Sequence, residues 1–184
     1  MRSLRWWWHR QQLRRTKLLV LDVDGVLTDG GLWYDPNGQL TKRFDVRDGL
    51  GIRLLLQQTG LQIVLLSGGQ GGATDVRARQ LGIQHCLVGI KDKVDALRTL
   101  QTDLTISPAE TVFVGDDLND LAVRPVVALL LAPADACASV RRGADLVLSR
   151  RGGHGAVREL AERILQTRGG WSLLNNRGWR DRND

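Results

Sequence analysis

Cysteine is almost missing from this 184-residue chain: Cys86 and Cys137 are the only two. With no secretory leader in view, no disulfide framework is implied, and a reducing cytoplasm is the expected setting. Long hydrophobic runs are missing as well. Residues 126–132 make one of the longest apolar runs, far short of the roughly 20 residues that cross a bilayer. No membrane span is expected, and a soluble protein is. Internal repeats are absent, and 184 residues suggest a single core.

Acid is missing from the first 17 residues, which hold Arg2, Arg5, Arg10, Arg14, Arg15 and Lys17. The whole chain carries 26 Lys and Arg against 20 Asp and Glu, a net charge of +6. Setting the six leader cations aside leaves equal numbers of each sign, so the globular part is neutral. The leader also holds Trp6, Trp7 and Trp8, a combination suited to a membrane surface or a nucleic acid. A terminal charge run is ordinarily solvated. Residues 1–16 are therefore expected to be a disordered or partly helical extension, and a nucleic-acid partner is not expected.

Carboxylates, by contrast, are abundant at two places. Residues 18–30 read LLVLDVDGVLTDG, an apolar strand ending in Asp22 and Asp24. Residues 109–120 read AETVFVGDDLND, a second short strand closed by Gly115 and followed by Asp116, Asp117 and Asp120. Ligand sites in parallel sheets lie beyond the carboxyl ends of the strands. Carboxylates this close repel unless a cation or a shared proton offsets them. Neighbouring strand tips would make an oxygen-rich, partly open shell that suits Mg2+, and Mg2+ suggests a phosphate substrate. Histidine and cysteine are lacking at these motifs, which disfavours zinc.

Between and after these motifs, apolar runs alternate with helical patterns, the signature of βαβ units. Strands are expected at 61–66, 84–88, 111–114, 126–131 and 145–148, and helices at 49–58, 74–81, 93–104 and 156–166. Residues 31–34 and 39–44 flank Asp35-Pro36-Asn37-Gly38, a hairpin signal. Residues 169–184 are rich in Gly, Asn and Arg and read as a flexible tail.

DVDGVLTDG, followed in order by Ser67, Lys93 and Asp116, resembles the four motifs of the haloacid dehalogenase superfamily of phosphohydrolases. Within it, FDVRDGLGI, GIKDK, VGDDLND and GGxGAVRE resemble the small cap-less phosphatases of 3-deoxy-D-manno-octulosonate 8-phosphate. The likeness spans residues 13–166. It implies a Rossmann-like three-layer α/β/α fold over residues 17–168, with a central parallel sheet, no cap domain and a β-hairpin flap after the first strand. It implies a Mg2+-dependent phosphomonoester hydrolase that works through an aspartyl phosphate in lipopolysaccharide precursor synthesis. Asp22 would be the nucleophile, Asp24 the general acid and base, and Lys93 the neutralising cation. Asp22, the Asp24 carbonyl and Asp116 would hold the metal. Asp117 and Asp120 would stand behind them, with Asp120 orienting Lys93 or capping the helix near Leu118.

Ser67 and Gly68 are placed to cradle phosphate oxygens. By the same likeness Arg47 and His154 would contact substrate. A helix-terminal ion pair is the competing reading of Arg47, and simple exposure that of His154. Two positions depart from the family pattern: Gly69 and His154 stand where members commonly carry Arg. The likeness further implies a homotetramer built on the hairpin, with the tail of a neighbouring subunit helping to close the site. The gaps either side of Ser67 leave no room for a cap, so water is the expected acceptor. Two other readings remain open: a phosphatase of a nine-carbon sialic-type acid phosphate or another small phosphomonoester, and a non-enzymatic phosphate- or nucleic-acid-binding module.

Overall fold

The structure is a computed structural model that describes residues 6–179. Every residue of β1 (Leu18–Leu21) is apolar and buried. Because side chains alternate across a strand, its two faces feed two different cores. Leu19 and Leu21 enter one and Leu18 and Val20 the other. The same alternation holds in β4 (Gln62–Leu66), β6 (Thr111–Val114) and β7 (Leu129–Ala132). With short β5 (His85–Leu87) and β8 (Leu146–Val147) at the edges, they form one parallel sheet in the order β5-β4-β1-β6-β7-β8. A strand covered on both faces reads as a continuous apolar run, which is why these segments were legible.

The helices supply the covering layers. One side takes α2 (Val46–Thr59), α3 (Ala73–Leu81) and α7 (Ala156–Arg168), through residues such as Ile52, Leu55, Leu81, Leu160 and Ile164. The other takes α4 (Lys93–Asp103) and α6 (Ala138–Gly143), through Leu97, Leu100 and Val140. This is the expected three-layer α/β/α arrangement. Between Asp24 and Ser67 the chain spends its length on a hairpin, β2 (Trp33–Tyr34) and β3 (Leu40–Thr41), and on α2. Neither forms a cap domain.

Several boundaries move for local reasons. Helix α2 starts at Val46, three residues earlier than its periodicity suggests, because Asp45 caps it and accepts from the Arg47 amide at 2.7 Å. Strand β7 starts at Leu129 because Pro125 sits in a short 3-10 turn, Arg124–Val126. Helices α2 and α7 come together closely at Gly51, where a Cβ would lie 3.0 Å from the Arg158 Cα. Asp48, buried, accepts from the amides of Gly155 and Arg158 and so caps α7 from across the fold.

The leader is partly helical, one of the two states expected of it, and is packed against the core, while the tail departs from the flexible segment expected. In the basic leader, residues 6–8 and α1 (Arg10–Arg15) are helical. Leu13 is fully buried, Trp6 lies in the same core, and Arg163 stacks 5.1 Å from the Trp6 ring. At the other end, residues expected to be flexible include a helix, α8 (Trp171–Arg177), where Trp171 and Leu174 pack against that core. Composition misled here because a few apolar anchors decide docking, and they hide among Arg, Gly and Asn. Residues 1–5 of the leader and 180–184 of the tail lie outside the described residues. No helix among the described residues is long and apolar enough to cross a membrane.

Candidate active site

Parallel pairing of β1 with β4 and β6 brings their carboxyl ends side by side. Asp22 follows β1 directly, and its amide donates to the Val114 carbonyl at 3.0 Å. Ser67 follows β4, with its amide bonded to the Leu87 carbonyl at 2.8 Å. Asp116 stands two residues past β6. An open cleft of about 600 Å³ lies over these tips, lined by Asp22, Asp24, Ser67, Lys93, Asp116 and Asn119 among others. Seven of the expected site residues line it together: these first five with Gly68 and Asp117.

Lys93, the first residue of α4, is buried and reaches back to the sheet. Its Nζ lies 3.1 Å from Asp22 Oδ1 and 2.6 Å from Asp120 Oδ1. Asp120 is also fully buried, and its Oδ2 accepts from the amides of Asp116 and Asp117 at 2.9 and 3.2 Å. One carboxylate therefore fixes both the lysine and the loop after β6. Asp117 caps α5 (Leu118–Leu121), accepting from the Leu118 amide at 2.8 Å. Both roles expected of Asp120 are present: one oxygen faces Lys93, and the other accepts from the Asp117 amide as the second half of a capping box at the start of α5.

Electrostatics here are set by burial and crowding. Burial first, then the Asp120 charge, pushes the Asp22 carboxyl up to about 6 against the pull of Lys93. Asp116 is pushed up to about 8 by burial, then by Asp22, Asp120 and Asp117. For Lys93 burial works against the charged form, but Asp22 and Asp120 outweigh it and hold the ammonium above its ordinary value. For both carboxyls burial and like charge outweigh the one compensating cation, Lys93.

Ligand oxygens of Asp22, Asp116 and Asp120 lie within 4.8 Å of one another. This all-carboxylate donor set fits a hard divalent cation rather than zinc. Asp120 already has both oxygens occupied by Lys93 and two amides, so Asp22 and Asp116 are the side chains left to face such an ion. Gly25, with φ +84°, has no room for a side chain: a Cβ would sit 2.0 Å from Asp116 Oδ2. The loop carrying Asp24 is backed in turn by Gly152 and Gly153, whose Cβ atoms would lie 1.8 Å from the Gly25 carbonyl and 2.5 Å from the Asp29 amide. Backbone rests on backbone there.

Arg47 and His154 are not in the cleft. Arg47 is half-exposed and forms a two-point ion pair with Asp45, 3.0 Å from Nε to Oδ1 and 2.7 Å from a terminal nitrogen to Oδ2. It lines a separate depression with Arg150 and Arg158. The helix-terminal ion pair weighed for it is what the structure shows, and proximity along the chain explains it. His154 is exposed, with Nδ1 2.8 Å from the Gly152 carbonyl, in another depression with Asp29, Trp33 and Asp135. Neither side chain lines the cleft over the strand tips.

Sequence reasoning missed Lys42. It comes in from the hairpin, and its Nζ lies 2.8 Å from both Asp24 oxygens. The sequence signal is weak, a short alternation over residues 40–44; in the structure Leu40, Lys42 and Phe44 are half-buried while Thr41 and Arg43 are exposed, which puts the lysine on the inward face.

No protein-family model matches the chain. Among curated proteins it is 39% identical over 146 residues to the 3-deoxy-D-manno-octulosonate 8-phosphate phosphatase of Haemophilus influenzae, covering 79% of this chain and 81% of that protein. Among solved structures, the phosphatase of that name from Moraxella catarrhalis, in complex with magnesium, phosphate and KDO, superposes with a TM-score of 0.88 at 34% identity, covering 92% of this chain and 97% of that one. A HAD superfamily (subfamily III A) hydrolase structure from Legionella pneumophila superposes with a TM-score of 0.89 at 36% identity, covering 95% of both chains. Sequence and architecture agree, and the chain belongs to the 3-deoxy-D-manno-octulosonate 8-phosphate phosphatase family of the haloacid dehalogenase superfamily.

Proposed function

We propose that this protein hydrolyses 3-deoxy-D-manno-octulosonate 8-phosphate to the free sugar acid and phosphate in lipopolysaccharide precursor synthesis. The observation that carries the reading is the Asp22-Lys93-Asp120 ion-pair chain at the floor of an open cleft, on a chain so similar to phosphatases of that substrate. Asp22 attacks phosphorus, forming an Oδ–P bond as the bond to the sugar oxygen breaks. Asp24 gives the departing oxygen its proton, then takes one from the water that attacks the aspartyl phosphate and frees Asp22. Lys93 neutralises phosphoryl charge. Ser67, whose Oγ accepts from the Gly69 amide at 3.1 Å, presents its hydroxyl, with Gly68, to the phosphate.

Asp22, the Asp24 carbonyl and Asp116 would hold Mg2+, which supplies further neutralisation of the phosphate when bound. Asp117 and Asp120 support that set from behind. Residues 17–168 form the catalytic domain in this reading, with the leader and tail as attachments. The enzyme works in the cytoplasm, in keeping with its two free cysteines, and as a homotetramer joined through the hairpin. The exposed Leu32, Trp33 and Tyr34 there supply apolar surface for assembly.

The test is phosphate release from this substrate beside a panel that includes nine-carbon sugar-acid phosphates, with and without Mg2+, for wild type and Asp22→Asn. Selective metal-dependent release that vanishes in the variant is expected. Equal release across the panel would sink the named substrate and keep the chemistry.

A further inference from the structure

We propose that Lys42 is a positioning residue for Asp24, delivered by the hairpin; this rests on the phosphatase reading above. Hairpin lysines are ordinarily solvated, but the Lys42 side chain is only 1% exposed. Its ammonium donates to Asp24 Oδ2 at 2.8 Å and lies 2.8 Å from Oδ1, which has no hydrogen-bond partner of its own. The ammonium therefore grips the carboxylate at both oxygens, at the same distance from each. A carboxylate held in place in this way has a fixed reach to the cleft, which is what a positioned proton carrier needs.

The surroundings are built for this pair. Gly69 leaves the space it occupies: a Cβ there would lie 2.9 Å from Asp24 Oδ2 and 3.6 Å from Lys42 Nζ. A Cβ at 69 would also stand 3.4 Å from Ser67 Oγ, so the pair sits beside the phosphate-facing loop. Lys93 binds Asp22 and Asp120 and makes no ion pair with Asp24. Two lysines thus have separate tasks, Lys93 in the cleft beside the attacking carboxylate and Lys42 on the hairpin side holding the proton carrier. During the first step the proton on Asp24 passes to the departing oxygen as the P–O bond breaks, leaving a carboxylate that Lys42 pairs with. In the second step that carboxylate takes a proton from the attacking water.

A group that acts through proton donation matters where the leaving oxygen is basic and little where it leaves unaided. Lys42→Met, with Lys42→Gln as a second variant, should lower kcat for the sugar phosphate by about 10- to 100-fold and change KM by less than roughly threefold. Its effect on p-nitrophenyl phosphate should be slight, Lys42→Arg should regain most of the rate, and in an Asp24→Asn background the loss should disappear. Equal losses on both substrates, or an undiminished loss without Asp24, would overturn the assignment, as would an unchanged kcat. Thermal unfolding of the same variants separates a folding defect from these outcomes. If wild type releases no phosphate from any sugar ester, the phosphatase reading fails separately. Hydrogen exchange of the amides of residues 31–44 then tests the clamp alone: exchange should quicken equally in Lys42→Met and Asp24→Asn, and unchanged protection in both would overturn it.

Discussion

Asp120 is where three parts of the cleft meet: Lys93, the Asp116 amide and the Asp117 amide all end on its two oxygens. Replacing it with Ala leaves the buried ammonium with Asp22 alone and takes the acceptor from two amides, so Asp120→Ala should lower kcat by at least about 100-fold. It should also lower the unfolding temperature, since each buried donor left unsatisfied costs about 1–3 kcal/mol. Steady-state kinetics and a thermal melt on the same sample check both. Gly69→Ala is the milder companion. Its Cβ would lie 2.9 Å from the Asp24 carboxylate and in ordinary contact with its other neighbours, so kcat should fall severalfold while the melt stays near wild type.

The raised carboxyls make stability depend on pH in a definite direction. Asp22 and Asp116 ionise at about 6 and 8 in the fold and near 3.8 in a free chain. The fold therefore favours their protonated forms, and that contribution, full below about pH 4, fades as pH rises through 6 and 8. In chelator the melting temperature should be lower at pH 8.5 than at pH 5. Added Mg2+ should raise it more at the higher pH, and a flat profile in chelator would contradict the crowding described for the cleft.

At the scale of elements, the apolar strands and the residues just beyond them were the legible part. Asp22, Ser67 and Asp116 follow Leu21, Leu66 and Val114 closely, and a strand apolar at every position announces its own end. Lys93 was picked out over Lys91 by the resemblance, through the spacing Gly89-x-x-Asp92-Lys93; alone, either lysine would read as a solvated surface charge. Lys42 was not legible, because β2 and β3 have two residues each and their alternation barely rises above noise. Arg47 lies outside the cleft for a local reason: Asp45, two residues away, satisfies it, and no spacing rule reveals that. Helix α1 is the clearest case of packing overriding composition. Leu13→Ala should cost about 2–5 kcal/mol, measured by denaturant unfolding. A change below about 0.5 kcal/mol, usual for surface sites, would mean the leader does not dock.

At the scale of the molecule, the hairpin joins two properties. It carries Lys42 inward to Asp24 and shows Leu32, Trp33 and Tyr34 outward. Trp33→Asp with Tyr34→Asp should shift the sedimentation profile from tetramer toward smaller species. An unchanged profile in a tetrameric wild type would place the subunit contacts elsewhere.

The contact of Gly152 and Gly153 with the loop from Gly25 to Asp29 bears on when a new copy of this protein becomes an enzyme. Strand β1 and both motif-one aspartates leave the ribosome early, yet the backbone that supports their loop is among the last parts of the domain to be made. A nascent chain stopped before residue 152 carries Asp22, Asp24, Ser67, Lys93 and Asp116 and still lacks the wall behind them. Synthesis itself thus acts as a timer: the cleft is completed only when the whole α/β domain is nearly finished.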